Sequence, residues 1–328
     1  MKPKAIVVLG DSYSNGDGVS WTTQAPRIMG EEWFAESESL LHKIAWYRIN
    51  KPSHPLTDMM EQQQTRFMTD WHDHMARSNW NHKEYTEVNG NWSSVLSEQS
   101  GWPVVNIALP GGSTQSMTES LLIWVDKNPV FIAEHDICVM ANFSKVDRTS
   151  ITARREDHDY TRKQVSDIYA NNTIHYSPGC DDRMDPYLVH LADIGACEWE
   201  HCSNLLLIKT ICDNASMSMV WCGPVDDVSI NHANKGNRLS YIDGIKDSNF
   251  LGLSLPIDRN LTNICSELCN ISLYTMWVNS NNIKDNGFNP YSLCGHFNAP
   301  AQKTMGTQLN QLIQGNKDWF FNYKCLIN

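Results

Sequence analysis

Hydrophobic positions in this chain begin with a run of branched apolar residues, Ala5 to Leu9, that stops at Gly10, Asp11 and Ser12. A short unbroken apolar run closed by turn formers predicts a buried strand. Between 17 and 100 no comparable run occurs. Instead, Glu31 to Arg48 and Met59 to Met75 place Trp, Met and Leu on one side at helical spacing, with Pro52 and Pro55 between them, and predict two amphipathic helices. Apolar runs return at Val104-Val-Asn-Ile, at Asp136 to Ala141, at Met217 to Cys222 and, more briefly, at Ile271 to Val278. Helical patterns follow or separate them at Met117 to Val125, Cys197 to Ala215, Asn260 to Cys269 and Ala299 to Ile313. Strand alternating with helix in this way predicts an α/β fold, with five parallel strands doubly wound by right-handed crossovers.

The remaining stretches read as insertions in that plan. Residues 20–100 predict a helical insertion, a candidate lid, within a single domain spanning 1–328. Residues 147–192 are polar and rich in aspartate, with Pro178, Gly179 and Pro186, and predict loops and short helices. No internal repeat is present.

Composition narrows the classes. With 26 basic and 37 acidic residues the formal charge is −11, which disfavours nucleic acid or an anionic membrane surface as partner. No window approaches the roughly 20 apolar residues that span a bilayer. The first strand begins within five residues of Met1, so no secretory leader is expected, and the chain is expected to be cytoplasmic or virion-associated. Ten cysteines are scattered without a C-x-x-C pair, which excludes zinc-ribbon spacing and predicts mostly buried reduced thiols. A disulfide pinning the insertion around Cys180 to Cys202 is the alternative. Tryptophan is abundant, at 12, and Trp71, Trp80 and Trp92 sit among polar residues. Indole rings suit sugar faces, yet core and lid packing is the preferred reading.

Candidate chemistry lies at strand ends. Ser12 follows the first strand, where open α/β sheets carry their chemistry and where backbone N–H groups of a following helix favour developing negative charge. Asn106-Ile-Ala-Leu-Pro-Gly-Gly-Ser follows the second strand, Asn142 ends the third, and His296 stands just before the last helix in Cys294-Gly-His-Phe-Asn-Ala-Pro. Ester hydrolysis needs a nucleophile, a base and donors aimed at the oxyanion. Ser12, His296, and the donors Ser12 N–H, Gly111 N–H and Asn142 amide form such a set. Glycine at 111 lets a backbone N–H approach a substrate closely.

Competing readings are weaker. Asp11 to Gly16 begins like a calcium loop, but Tyr13 and Thr22 occupy positions that need ligand oxygens or a glutamate. Neither G-x-G-x-x-G nor G-x-x-x-x-G-K-[ST] occurs. His72-Asp73-His74 reads as a solvated stretch, since i and i+2 on a helix face different ways. Ser12 as a plain helix cap and Cys294 as an alternative nucleophile also rank below the serine hydrolase reading.

Gly10-Asp-Ser, the glycine five residues beyond Asn106, Asn142 at a strand end and a late histidine together resemble the four blocks of the SGNH, or GDSL, hydrolases. That family consists of esterases, lipases and carbohydrate deacetylases on a flavodoxin-like three-layer α/β/α fold. The resemblance implies Ser12 as nucleophile, Gly111 and Asn142 as oxyanion donors with the Ser12 N–H, and His296 as general base, with no metal or organic cofactor. Two departures stand out. Leu293 and Cys294 occupy the region where the family carries aspartate three residues before the histidine, and the third block reads Met140-Ala-Asn-Phe in place of Gly-x-Asn-Asp. Asp285, Asp226/Asp227 or a backbone carbonyl would then orient His296, Asp285 being the preferred side chain. The implied substrate is a small acyl ester or an acetylated carbohydrate. The alternatives are a lipase or thioesterase of the same family, and a decayed scaffold that binds carbohydrate or serves a phage particle. Homo-oligomer contacts are left open.

Overall fold

A computed structural model describes residues 2–16, 19–50, 55–77, 91–109, 112–142, 149–152, 173–176, 194–222 and 296–321. Its elements in chain order are β1 (Lys4–Leu9), α1 (Ser12–Asn15), α2 (Val19–Met29), α3 (Glu31–Asn50), α4 (Pro55–Arg77), α5 (Trp92–Ser100), β2 (Val104–Asn106), α6 (Thr114–Lys127) and α7 (Pro129–Glu134). There follow β3 (Asp136–Asn142), β4 (Thr149–Thr152), β5 (Thr173–Tyr176), α8 (Ile194–Asn214), β6 (Ser218–Cys222), α9 (Ala299–Gly315) and α10 (Lys317–Phe321). They fall into two compact units, one comprising 1–15, 100–276 and 311–328, the other 16–99 and 277–310.

The first unit is built on a parallel sheet of order β2-β1-β3-β6. The fold is therefore mixed α/β, with four parallel strands among the described residues; the fifth expected strand, Ile271–Val278, and the helix Asn260–Cys269 lie outside them. Side chains alternate across the sheet. Ala5, Val7 and Leu9 of β1, Ile137, Val139 and Ala141 of β3, and Met219 of β6 join a buried cluster with Met117, Leu121 and Trp124 of α6 and Leu205, Ile208 and Cys212 of α8. The opposite face, where Ile6, Val8 and Cys138 are almost wholly buried, receives α10: Ser218 Oγ donates to the Phe320 carbonyl at 2.5 Å, and Lys4 Nζ lies 4.1 Å from the Phe321 ring centroid. Both faces of β1 and β3 are thus covered, which explains why these strands read as unbroken apolar runs.

Strand order fixes where a ligand would sit. From β1 the chain adds β2 on one side, then returns to add β3 on the other. The winding reverses between β1 and β3, and the crevice outside their carboxyl ends is the binding position in sheets of this order. Register brings Leu9 opposite Ala141, so Gly10 and Asn142 follow side by side.

The second unit is helical. Ala25 of α2, Leu40, Leu41 and Ile44 of α3, and Phe67 and Trp71 of α4 make a separate buried cluster, with Trp33 edge-on to Phe67 at 5.2 Å. Both amphipathic helices expected between 20 and 100 are present, and α2 and α5 are added to them. The sequence pattern for α2 is obscured by Pro26, which sits inside it. In 147–192 the expectation of loops and short helices is corrected at two places. Residues 149–152 and 173–176 pair as an antiparallel ribbon, with Ile151 opposite Ile174. Each strand is four residues long, the lower limit for reading alternation, and β4 carries one large apolar residue, Ile151. No described helix is long and apolar enough to cross a membrane.

Candidate active site

At the end of β1 the chain must turn sharply to start α1, and Gly10 permits it. A Cβ at residue 10 would overlap the Ser14 Cβ and Oγ and lie 3.2 Å from the Asn142 carbonyl oxygen. No side chain larger than hydrogen fits between strand end and helix. The single turn of α1 is closed by Asn15 N–H donating to the Asp11 carbonyl at 2.9 Å. Gly16 then adopts φ +88°, the left-handed conformation that ends helices and that glycine reaches without a Cβ penalty. Asp11 and Ser14 are buried, at 3 % and 0 % exposure.

Two asparagines from neighbouring strands hold this turn. Asn142, 5 % exposed at the end of β3, donates from Nδ2 to Ser14 Oγ at 2.8 Å. Asn106, the last residue of β2, donates from Nδ2 to the Ser14 carbonyl at 2.9 Å, and its Oδ1 accepts the Ala108 N–H at 3.1 Å. Beyond Asn106 the chain stays beside β1: Ile107 N–H donates to the Val8 carbonyl and Leu109 N–H to the Gly10 carbonyl, both at 3.0 Å. Gly112 N–H returns to the Leu109 carbonyl at 2.9 Å, and Ser113 caps α6 by accepting Ser116 N–H at 3.3 Å. The ends of β1, β2 and β3 therefore share one buried hydrogen-bonded corner centred on Ser14. Fixed amide dipoles in such a setting act on developing charge with little reorganisation.

Among the expected site residues, Ser12 is placed by its backbone as the first residue of α1; its side chain lies outside the described residues. Gly111, Asp285, Asp226, Asp227, Leu293 and Cys294 also lie outside them. Asn142 stands where the sequence puts it, at the end of a buried parallel strand beside Gly10. His296 belongs to the second unit. It is half-buried and precedes Phe297 and Asn298, both buried, with Asn298 Oδ1 accepting Ala301 N–H at 3.1 Å to cap α9.

Trp71 and Trp92 are buried, at 6 % and 2 % exposure, so these two indoles are core residues and offer no sugar platform; Trp80 lies outside the described residues. Asp73 and His74 are exposed on α4, as a solvated stretch requires. Cys138 and Cys212 are buried free thiols. Burial pushes the Cys212 thiol well above its ordinary 9.0, with the Asp213 charge and Cys138 adding to the shift and Lys209 opposing it.

Ser14 is the residue that sequence reasoning passed over, and Asn106 entered it only as the start of the second block, not as a support of the turn. One signal was available for Ser14: a serine four residues after a glycine, across a one-turn helix, faces the position where that glycine lacks a side chain. Asn106 carried no comparable signal, because its role depends on β2 lying beside β1. No protein-family model matches the chain and no curated protein matches it. The site stands on its geometry.

Proposed function

We propose that this chain is a serine esterase of the SGNH/GDSL type that hydrolyses a small acyl ester. Ser12 attacks the ester carbonyl, His296 takes its proton and later passes it to the leaving alcohol, and water activated by His296 releases the acyl group. The Ser12 and Gly111 N–H groups and the Asn142 amide receive the oxyanion. A backbone carbonyl or Asp285 completes the Ser-His dyad by orienting His296. The finer fold belongs to this reading too, with Ile271–Val278 as a fifth strand that completes a flavodoxin-like sheet.

The observation that carries the reading is the corner itself. Segments of three of the four sequence blocks, at Gly10–Gly16, Asn106–Leu109 and Asn142, meet by hydrogen bonds at the β1/β3 reversal, where an open α/β sheet binds ligands. With Trp71 and Trp92 in the interior, the acyl group is the better supported part of the substrate, and O-acetylated carbohydrate is the acceptor class to try first.

The test is hydrolysis of p-nitrophenyl acetate by the full chain and by Ser12→Ala. A rate that falls with Ser12→Ala by several orders of magnitude, together with fluorophosphonate labelling at Ser12, supports the esterase. Equal rates and no labelling of a folded chain favour the binding scaffold. Rates across acyl chain lengths then separate an acetyl esterase from a lipase or thioesterase, and acetate release from acetylated xylan tests the carbohydrate acceptor.

A further inference from the structure

We infer that Ser14 is a positioning residue for the candidate oxyanion hole: its buried hydroxyl accepts from the Asn142 side-chain amide and holds that amide in place. The inference rests on the esterase reading and adds to it a residue that never meets substrate.

An asparagine side chain at a strand end has a nearly two-fold choice about χ2, with oxygen and NH2 exchanging places. Only the NH2 orientation can stabilise an oxyanion. In the structure Nδ2 faces the Ser14 hydroxyl, which accepts one of its protons at 2.8 Å. Accepting that proton also fixes the plane of the amide, and hence the direction of its second N–H. Three features keep Ser14 in place. Gly10 makes room for its Cβ and Oγ, Asn106 holds its carbonyl at 2.9 Å, and the side chain is 0 % exposed, so water does not compete for the Asn142 proton. A solvated serine would exchange partners with water and select nothing. The buried one is held from β1, β2 and β3 at once.

A double-mutant cycle on the full chain tests this, with p-nitrophenyl acetate as substrate and kcat and KM measured separately. Ser14→Ala removes one oxygen and adds no atom. It is expected to lower kcat on the order of 10- to 100-fold with KM nearly unchanged, the signature of a misaligned catalytic group. In an Asn142→Ala background, where no amide remains to be oriented, adding Ser14→Ala is expected to change kcat by less than about twofold. Effects that multiply in the double variant, or a loss confined to KM, would overturn the assignment. If Ser14→Ala does not fold, NMR on the wild-type chain decides: one Asn142 side-chain amide proton should exchange slowly with solvent, and fast exchange of both protons overturns the inference. A wild-type chain without Ser12-dependent turnover, but with that slow proton, removes the esterase reading while leaving the amide held by Ser14.

Discussion

Replacing Asn142 by alanine tests the site at the smallest scale, because it removes a donor and strips the buried Ser14 hydroxyl of the N–H it accepts. On the esterase reading, kcat falls by about 10²- to 10³-fold, the usual cost of one oxyanion donor. The same change costs about 1–3 kcal/mol of stability, since the hydroxyl loses its partner where water does not reach. Turnover and urea midpoints of the same preparation report both. Cys212 carries a second residue-scale prediction, through pH. Its folded thiol ionises far above 9.0, mainly because it is buried, while the unfolded thiol ionises near 9.0. The neutral thiol's contribution is fully present below that value. As pH rises through 9.0 the unfolded chain binds fewer protons than the folded one, so stability falls, by about 1.4 kcal/mol per pH unit from this group. Unfolding midpoints from about pH 8 to pH 11 should decline less steeply in Cys212→Ala, by the share of one proton. Parallel curves for the two proteins would show that the thiol does not titrate between folded and unfolded states.

Single elements show how a strand-end site was readable before its supports were. β1, β3 and β6 declare themselves because their interior positions are apolar or small, with the charged Lys4 and Asp136 only at strand starts. Once they are parallel neighbours, Ser12 and Asn142 must lie at one edge. β2 contributes only Val104–Asn106, and its value to the site comes from Asn106 and from the segment that continues beside Gly10, a pairing that no local pattern encodes. The helices α3 and α4 show their apolar stripe directly, whereas α2 is hidden by Pro26 and the β4–β5 ribbon by the shortness of its strands. The start of α6 lends itself to measurement. Ser113 caps it, accepting Ser116 N–H, while Ser116 Oγ donates to the Ser113 carbonyl at 2.7 Å. Ser113→Ala should destabilise the chain by about 1 kcal/mol. Because Gly111, an oxyanion donor on the esterase reading, stands two residues before this cap in the sequence, kcat on p-nitrophenyl acetate should fall as well; a stability loss with unchanged turnover would separate the cap from the oxyanion donors.

At the scale of the whole molecule, the chain leaves the sheet after one strand and one helical turn, builds a helical unit from residue 16 onward, and returns to the sheet at residue 100. The two units hold separate apolar clusters, one around Val7, Val139 and Leu121, the other around Leu41, Phe67 and Trp71. Cooperative opening follows shared buried contacts, and within each cluster the side chains named pack against one another. Leu41→Ala should therefore cost about 2–5 kcal/mol within the helical unit, the range for a large-to-small change in a packed core. Amide hydrogen exchange would then accelerate across α3 and α4, while β1 and β3 keep their wild-type protection. Leu121→Ala should do the reverse. If either substitution lowers protection equally in both sets of amides, the two units unfold as one body and the division into separate cores has no energetic meaning.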